Sequence, residues 1–69
     1  MSEVKARRKE AKLTQAELAK KIRFQQSEIS RIERGWIPPV KLRQRLSKAL
    51  GVPEVELFGA EVERAAVGL

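Results

Sequence analysis

An all-α fold, a compact bundle of five helices, is predicted by three observations. No run alternates apolar and polar residues with β-branched enrichment, so no segment reads as strand. Apolar residues recur instead at helical spacing, three, four and seven apart. Residues that start and stop helices divide the chain into five such stretches.

The first stretch runs from about Ser2 to Ala11, with Ser2 as N-cap and Val4 and Ala11 on one face. Thr14 opens the second, and Glu17, three residues on, completes a capping box. Leu18, Ala19 and Ile22 are its apolar side. Ile22-Arg23-Phe24 interrupts the pattern. A third helix follows from about Gln25 to Arg34, with Ile29 and Ile32 inward and Gly35 ending it. Trp36 to Pro38 form a loop, and Pro39 suits the first turn of a fourth helix. Leu42, Leu46, Ala49 and Leu50 make its stripe before Gly51 stops it. Pro53 opens a short fifth helix through Leu57 and Phe58. In the remaining tail, Val62, Ala65, Ala66 and Leu69 fall on one helical face, which a small core cannot easily cover. The expected organisation is therefore a domain over residues 4–58 and a C-terminal tail over 59–69.

Sixty-nine residues make one domain with a small core. The chain has neither cysteine nor histidine, which removes disulfides and Cys/His zinc sites. No metal and no cofactor is expected. No apolar run approaches the ~20 residues of a membrane span. The charged N-terminal stretch lacks the apolar core of a signal peptide. The expectation is a cytoplasmic protein with no membrane partner and no small-molecule substrate. Catalysis is not expected either, since no carboxylate pair sits with an evident nucleophile.

The formal charge is +6, and its distribution is uneven. Residues 1–53 hold 14 basic and 5 acidic side chains, a net of +9. Residues 54–69 hold Arg64 against Glu54, Glu56, Glu61 and Glu63, a net of −3. A basic body suits a polyanion such as nucleic acid, although a set of solvated surface charges would give the same sum. Within that body, Thr14 to Gly35 pairs two short helices across a three-residue turn. Ala19 is small enough for a steep crossing, and Leu18, Ile22, Phe24, Ile29 and Ile32 meet beneath it. The outer face of the second helix is left polar, with Gln26, Ser27, Ser30, Arg31 and Arg34. Such a face can enter a major groove.

Leu13-Thr14-Gln15-Ala16-Glu17-Leu18-Ala19 and Ile29-Ser30-Arg31-Ile32-Glu33-Arg34-Gly35 resemble the phage repressor and Cro family, also called XRE-type regulators. Ala49-Leu50-Gly51-Val52 and Glu56-Leu57-Phe58 continue the likeness, which spans about Val4 to Phe58. The resemblance implies a lambda repressor-like five-helix bundle, with the helix-turn-helix at helices two and three. It also implies a sequence-specific regulator of transcription, in most members a repressor, that binds double-stranded DNA as a homodimer. By position it gives Gln26, Ser27, Ser30 and Arg31 to base contacts. Gln15, Gln25, Arg34, Trp36 and Lys41 fall at phosphate contacts. Arg8 and Glu33 fall where the family forms an internal ion pair. Leu57, Phe58 and Val62 are placed at a dimer seam, shared with the core.

Some positions depart from the family pattern. Lys12 and Arg23 stand where glycine is usual, and a left-handed conformation there costs about 1 kcal/mol. A cation at a helix C-terminus offsets part of that. Gln25 is a weaker cap than the usual Ser or Thr, and Arg7 replaces a commonly apolar residue. Blander readings stand beside the functional ones. Ser30 could bond only its own backbone, and Trp36 could merely pack the loop. Arg7, Lys9, Lys20 and Lys21 read as solvated charges, and Phe24, Ile29 and Leu46 as core. A second reading of the whole is an antitoxin or other protein-interaction module of the same fold. It would use the acidic, apolar tail as the partner surface.

Overall fold

The computed structural model describes residues 3–59. The Ser2 cap and the tail from residue 60, including Val62 of the expected dimer seam, lie outside them. Five helices follow in order: α1 (Glu3–Glu10), α2 (Gln15–Ile22), α3 (Gln26–Glu33), α4 (Val40–Leu50) and α5 (Glu54–Phe58). No strand occurs among the described residues. Helices α2 and α3 form the helix-turn-helix pair, α4 backs α2, and α5 joins α4 to α1.

Most of the core comes from the inward faces expected from periodicity, with Val52 added from the segment between α4 and α5. Val4, Leu18, Ala19, Ile22, Ile29, Ile32, Leu42, Leu46, Val52 and Leu57 are buried together. Each fully buried Leu or Ile contributes about 1.5–3 kcal/mol relative to exposure. Phe24, Ala49, Leu50 and Phe58 are partly buried and pack against this centre. Two corrections apply on α1. Ala11 is exposed beyond the end of the helix, so Val4 does not share its inward face with Ala11. Arg8 takes that place, one turn after Val4, with its residue surface 9% exposed. Arg7 is also more than a solvated charge. It reaches Glu3 and Glu10 on its own helix at 3.5 and 3.7 Å, and Glu56 of α5 at 3.6 Å. These pairs are half in water and contribute little each, but they join α1 to α5 where an apolar side chain is usual.

Capping follows local chemistry. Thr14 Oγ1 accepts the Glu17 N–H, and Glu17 Oε1 accepts the Thr14 N–H, so the predicted box is complete. Those Thr14 bonds hold the Glu17 carboxyl below its ordinary range. At α3 the Gln25 side chain makes no cap bond. Glu28 compensates, because its Oε1 accepts the Gln25 N–H at 3.1 Å. Pro39 and Pro53 precede α4 and α5 as N-cap residues, one position earlier than the first helical turn expected for Pro39.

Four helices close with the same device, a positive-φ residue followed by a hydrogen bond reaching back five residues. After α1 it is Lys12, at φ 60°, with Leu13 N–H on Arg8 O. Arg23, at φ 64°, ends α2, with Phe24 N–H on Ala19 O. Gly35 and Gly51 serve α3 and α4, with Trp36 N–H on Arg31 O and Val52 N–H on Ser47 O. Glycine adopts this conformation without penalty, whereas Lys12 and Arg23 carry a Cβ in it. At Arg23 the strain of about 1–2 kcal/mol exceeds the dipole gain of about 0.3–1 kcal/mol. Arg23→Gly is therefore expected to raise Tm by a few degrees in thermal unfolding. An unchanged or lower Tm would show that the arginine makes a stabilising contact larger than its strain.

Candidate nucleic-acid interface

Helix α3 divides cleanly around its axis. Ile29 and Ile32 point into the core, while Ser27, Ser30, Arg31 and Arg34 recur at three, four and seven residues on the opposite side. Gln26, Ser27, Arg31 and Arg34 are exposed and Ser30 is half-buried. Gln26 stands at the first helical position, beside the cap. Gln25 is exposed, its amide oxygen only distantly touched by Ser27 Oγ at 3.5 Å.

The helix is anchored from below by a buried ionic network. Arg8 Nε donates to Glu33 Oε2 at 2.6 Å and Arg8 Nη2 to Glu33 Oε1 at 3.3 Å. Arg8 Nη1 donates to Leu13 O at 2.8 Å. The two side chains are only 10% and 5% exposed. Burial pushes the Glu33 carboxyl up. The hydrogen bonds from Arg8 and Gln15 and the charges of Arg8 and Lys5 outweigh it, so the group ionises below its ordinary 4.5. The pair expected between helices one and three is thus present and ties the C-terminal end of α3 to α1.

Sequence reasoning missed one member of this network. Gln15 Nε2 donates to Glu33 Oε1 at 3.0 Å, across 18 residues. The amide of a residue expected to meet phosphate is therefore held by an internal carboxylate. One N–H of that –NH2 group is used by the carboxylate and the other is left open, beside the backbone N–H groups of the α2 N-terminus.

A second missed pairing lies at the same end of α3. The Arg31 guanidinium sits over the Trp36 ring, 4.3 Å from its centroid. Trp36 is half-buried, and its backbone N–H is held by Arg31 O at 3.0 Å. Trp36 therefore packs, as the blander reading had it, but it packs on the proposed base reader. Stacking occupies the face of the guanidinium and leaves the N–H groups around its edge open. The loop that carries Trp36 is fixed by Arg43. Its Nη1 donates to Pro38 O at 2.8 Å, and its Nε lies 3.3 Å from Glu54 Oε1 of α5. Exposed Lys41 follows in the first turn of α4.

The face so assembled is polar and cationic. It offers amide, hydroxyl and guanidinium edges in one line with cations beyond, which suits a groove walled by phosphates. A helix-turn-helix family model matches residues 4–57. The chain belongs to the XRE-type helix-turn-helix family of DNA-binding regulators. No curated protein and no solved structure matches it.

In this helix-turn-helix domain the match covers all the elements that position the outer face of α3. No helix among the described residues is long and apolar enough to cross a membrane. Leu57, expected to be shared between core and seam, is 5% exposed and belongs to the core, on the helix that packs against α1 and α4. Of the expected seam, only half-buried Phe58 remains at the described surface.

Proposed function

We propose that this helix-turn-helix protein is a sequence-selective repressor that binds a pseudo-palindromic operator as a homodimer. The observation that carries the reading is the outer stripe of α3. Its four polar residues are free of carboxylate partners among the described residues, and the core and the Arg8–Glu33 pair hold the helix rigidly behind them. Gln26 presents an amide that matches adenine N6 and N7, and Arg31 a fork that matches guanine O6 and N7. Ser27 and Ser30 add hydroxyls along the same line. The α2 N-terminus at Gln15, together with Gln25, Arg34 and Lys41, grips the backbone on either side, while Trp36 holds Arg31 in place. Phe58 and the apolar face of the tail form the contact between protomers. Two recognition helices then enter major grooves about 34 Å apart.

Selection of bound duplexes from a random pool tests this directly. The expected result is two inverted half-sites, about 10 base pairs centre to centre, each with a fixed adenine and guanine. A single asymmetric half would sink the dimer. A pool with no enriched motif would sink sequence-selective binding altogether.

A further inference from the structure

A second cationic feature lies away from the recognition stripe. The C-terminal end of α2 and the second half of α4 enclose a shallow cleft of about 510 Å³. Lys21, Arg23, Arg45 and Lys48 line it, over a floor of Ile22 and Ala49. All four cations are exposed, and among the described residues none pairs with a carboxylate. Four unneutralised like charges around one hollow repel one another, and a bound anion would relieve that.

One of them is also held in position. Arg45 Nη1 donates to Ile22 O at 3.2 Å, and its guanidinium lies over Phe24, 5.2 Å from the ring centroid. Its other N–H groups stay open, so the fork is preorganised. Arg23 keeps its charge at the rim despite a φ of 64° that glycine would adopt freely. Along α4, Lys41, Arg45 and Lys48 fall at i, i+4 and i+7, one stripe of the helix. The stripe runs from the proposed phosphate contact at Lys41 into the cleft, over about 10 Å. That is the rise of about three nucleotides along one strand.

We infer that the cleft is a second phosphate site, which takes the backbone of duplex DNA flanking the sequence read by α3. The inference rests on the DNA-binding reading above and extends it. The cations of α2 and α4 lengthen the footprint without reading bases, so they add affinity and salt dependence but no sequence preference.

The test uses the whole chain and two duplexes with the same selected core. One ends at the core, and the other extends it by about one helical turn, ~10 base pairs, on each side. Lys21→Gln with Lys48→Gln removes two charges that make no contact within the fold, and thermal unfolding checks that the fold is intact. On the long duplex, the wild type should lose about tenfold more affinity than the double variant between 50 and 200 mM salt, at about 0.9 logarithmic units of slope per phosphate. On the short duplex the two proteins should behave alike. Arg23→Gly should bind the long duplex more weakly while unfolding no earlier than the wild type, so lost stability cannot explain the result. Equal losses on both duplexes, or no loss on either, would overturn the inference while leaving the recognition helix standing. Failure of the wild type to bind either duplex would overturn both.

Discussion

Replacing Arg8 with methionine is expected to destabilise the fold by about 3–5 kcal/mol, because it leaves the Glu33 carboxylate buried without its cation. A domain of this length has about 3–10 kcal/mol in all, so much of the single variant should be unfolded at 37 °C. The pair is unusually committed. Glu33 takes Arg8 through two nitrogens and Gln15 through one, and Arg8 spends its remaining nitrogen on Leu13 O. Adding Glu33→Leu should recover most of the loss, since an apolar pair of similar volume avoids the desolvation cost. About 1 kcal/mol should stay missing, for the Leu13 carbonyl that no longer has its donor. Urea unfolding of the two variants and the wild type measures this. A double variant no more stable than the single would mean that the carboxylate is not the source of the penalty.

The same pair sets an acid limit. The Glu33 carboxyl ionises at a lower pH in the folded chain than in the unfolded one, where it lies near 4.5. Its contribution is therefore complete above that value and is lost as pH falls through the lowered folded value. Unfolding midpoints of the wild type should decline below about pH 4.5. In the Arg8→Met, Glu33→Leu protein that part of the decline should be absent.

Arg31→Ala should lose about 1–3 kcal/mol on the preferred duplex and little on a duplex changed at the guanine, so its preference at that position collapses. Lys41→Ala should weaken every sequence alike and lower the salt slope by about 1. Trp36 has a third signature. It neither reads a base nor needs to touch phosphate; it holds the Arg31 side chain, which would otherwise be immobilised on binding at a cost of about 0.5–1.5 kcal/mol. Trp36→Ala should thus weaken the preferred duplex by up to about tenfold and narrow the preference at the Arg31 position, with the salt slope unchanged. Trp36→Phe, which keeps a ring under the guanidinium, should restore most of it. Binding titrations on the matched and changed duplexes separate the three. If Arg31→Ala and Lys41→Ala scaled all duplexes by one factor, the division between base reading and backbone gripping would be wrong. If Trp36→Ala altered the salt slope as Lys41→Ala does, the ring would be a backbone contact instead.

What the sequence alone determined is local. Helix starts and stops depend on groups three to five residues apart. Thr14 with Glu17, Gly35 and Gly51 could therefore be placed before any fold was known, whereas the left-handed Lys12 and Arg23 were implied only by register with the glycines of the family pattern. The inward faces followed from periodicity, and the Arg8–Glu33 pair from register within a known family pattern. The spacing of Gln25 and Glu28 carries a local capping signal too. Tertiary structure decided everything that joins separate helices. Gln15 and Glu33 are 18 residues apart, and nothing in either segment marks the amide as a third partner of the carboxylate. Leu57 could face a second chain or its own core until α1 and α4 closed over it. Arg31 and Trp36 meet only because the turn at Gly35 folds the loop back under the last turn of α3. Lys21 reads as a solvated charge, and only the packing of α2 on α4 makes it and Lys48 two walls of one cleft. A side chain's own helix sets its direction, but its partner is set by which helix arrives opposite it, and that is a property of the packed core.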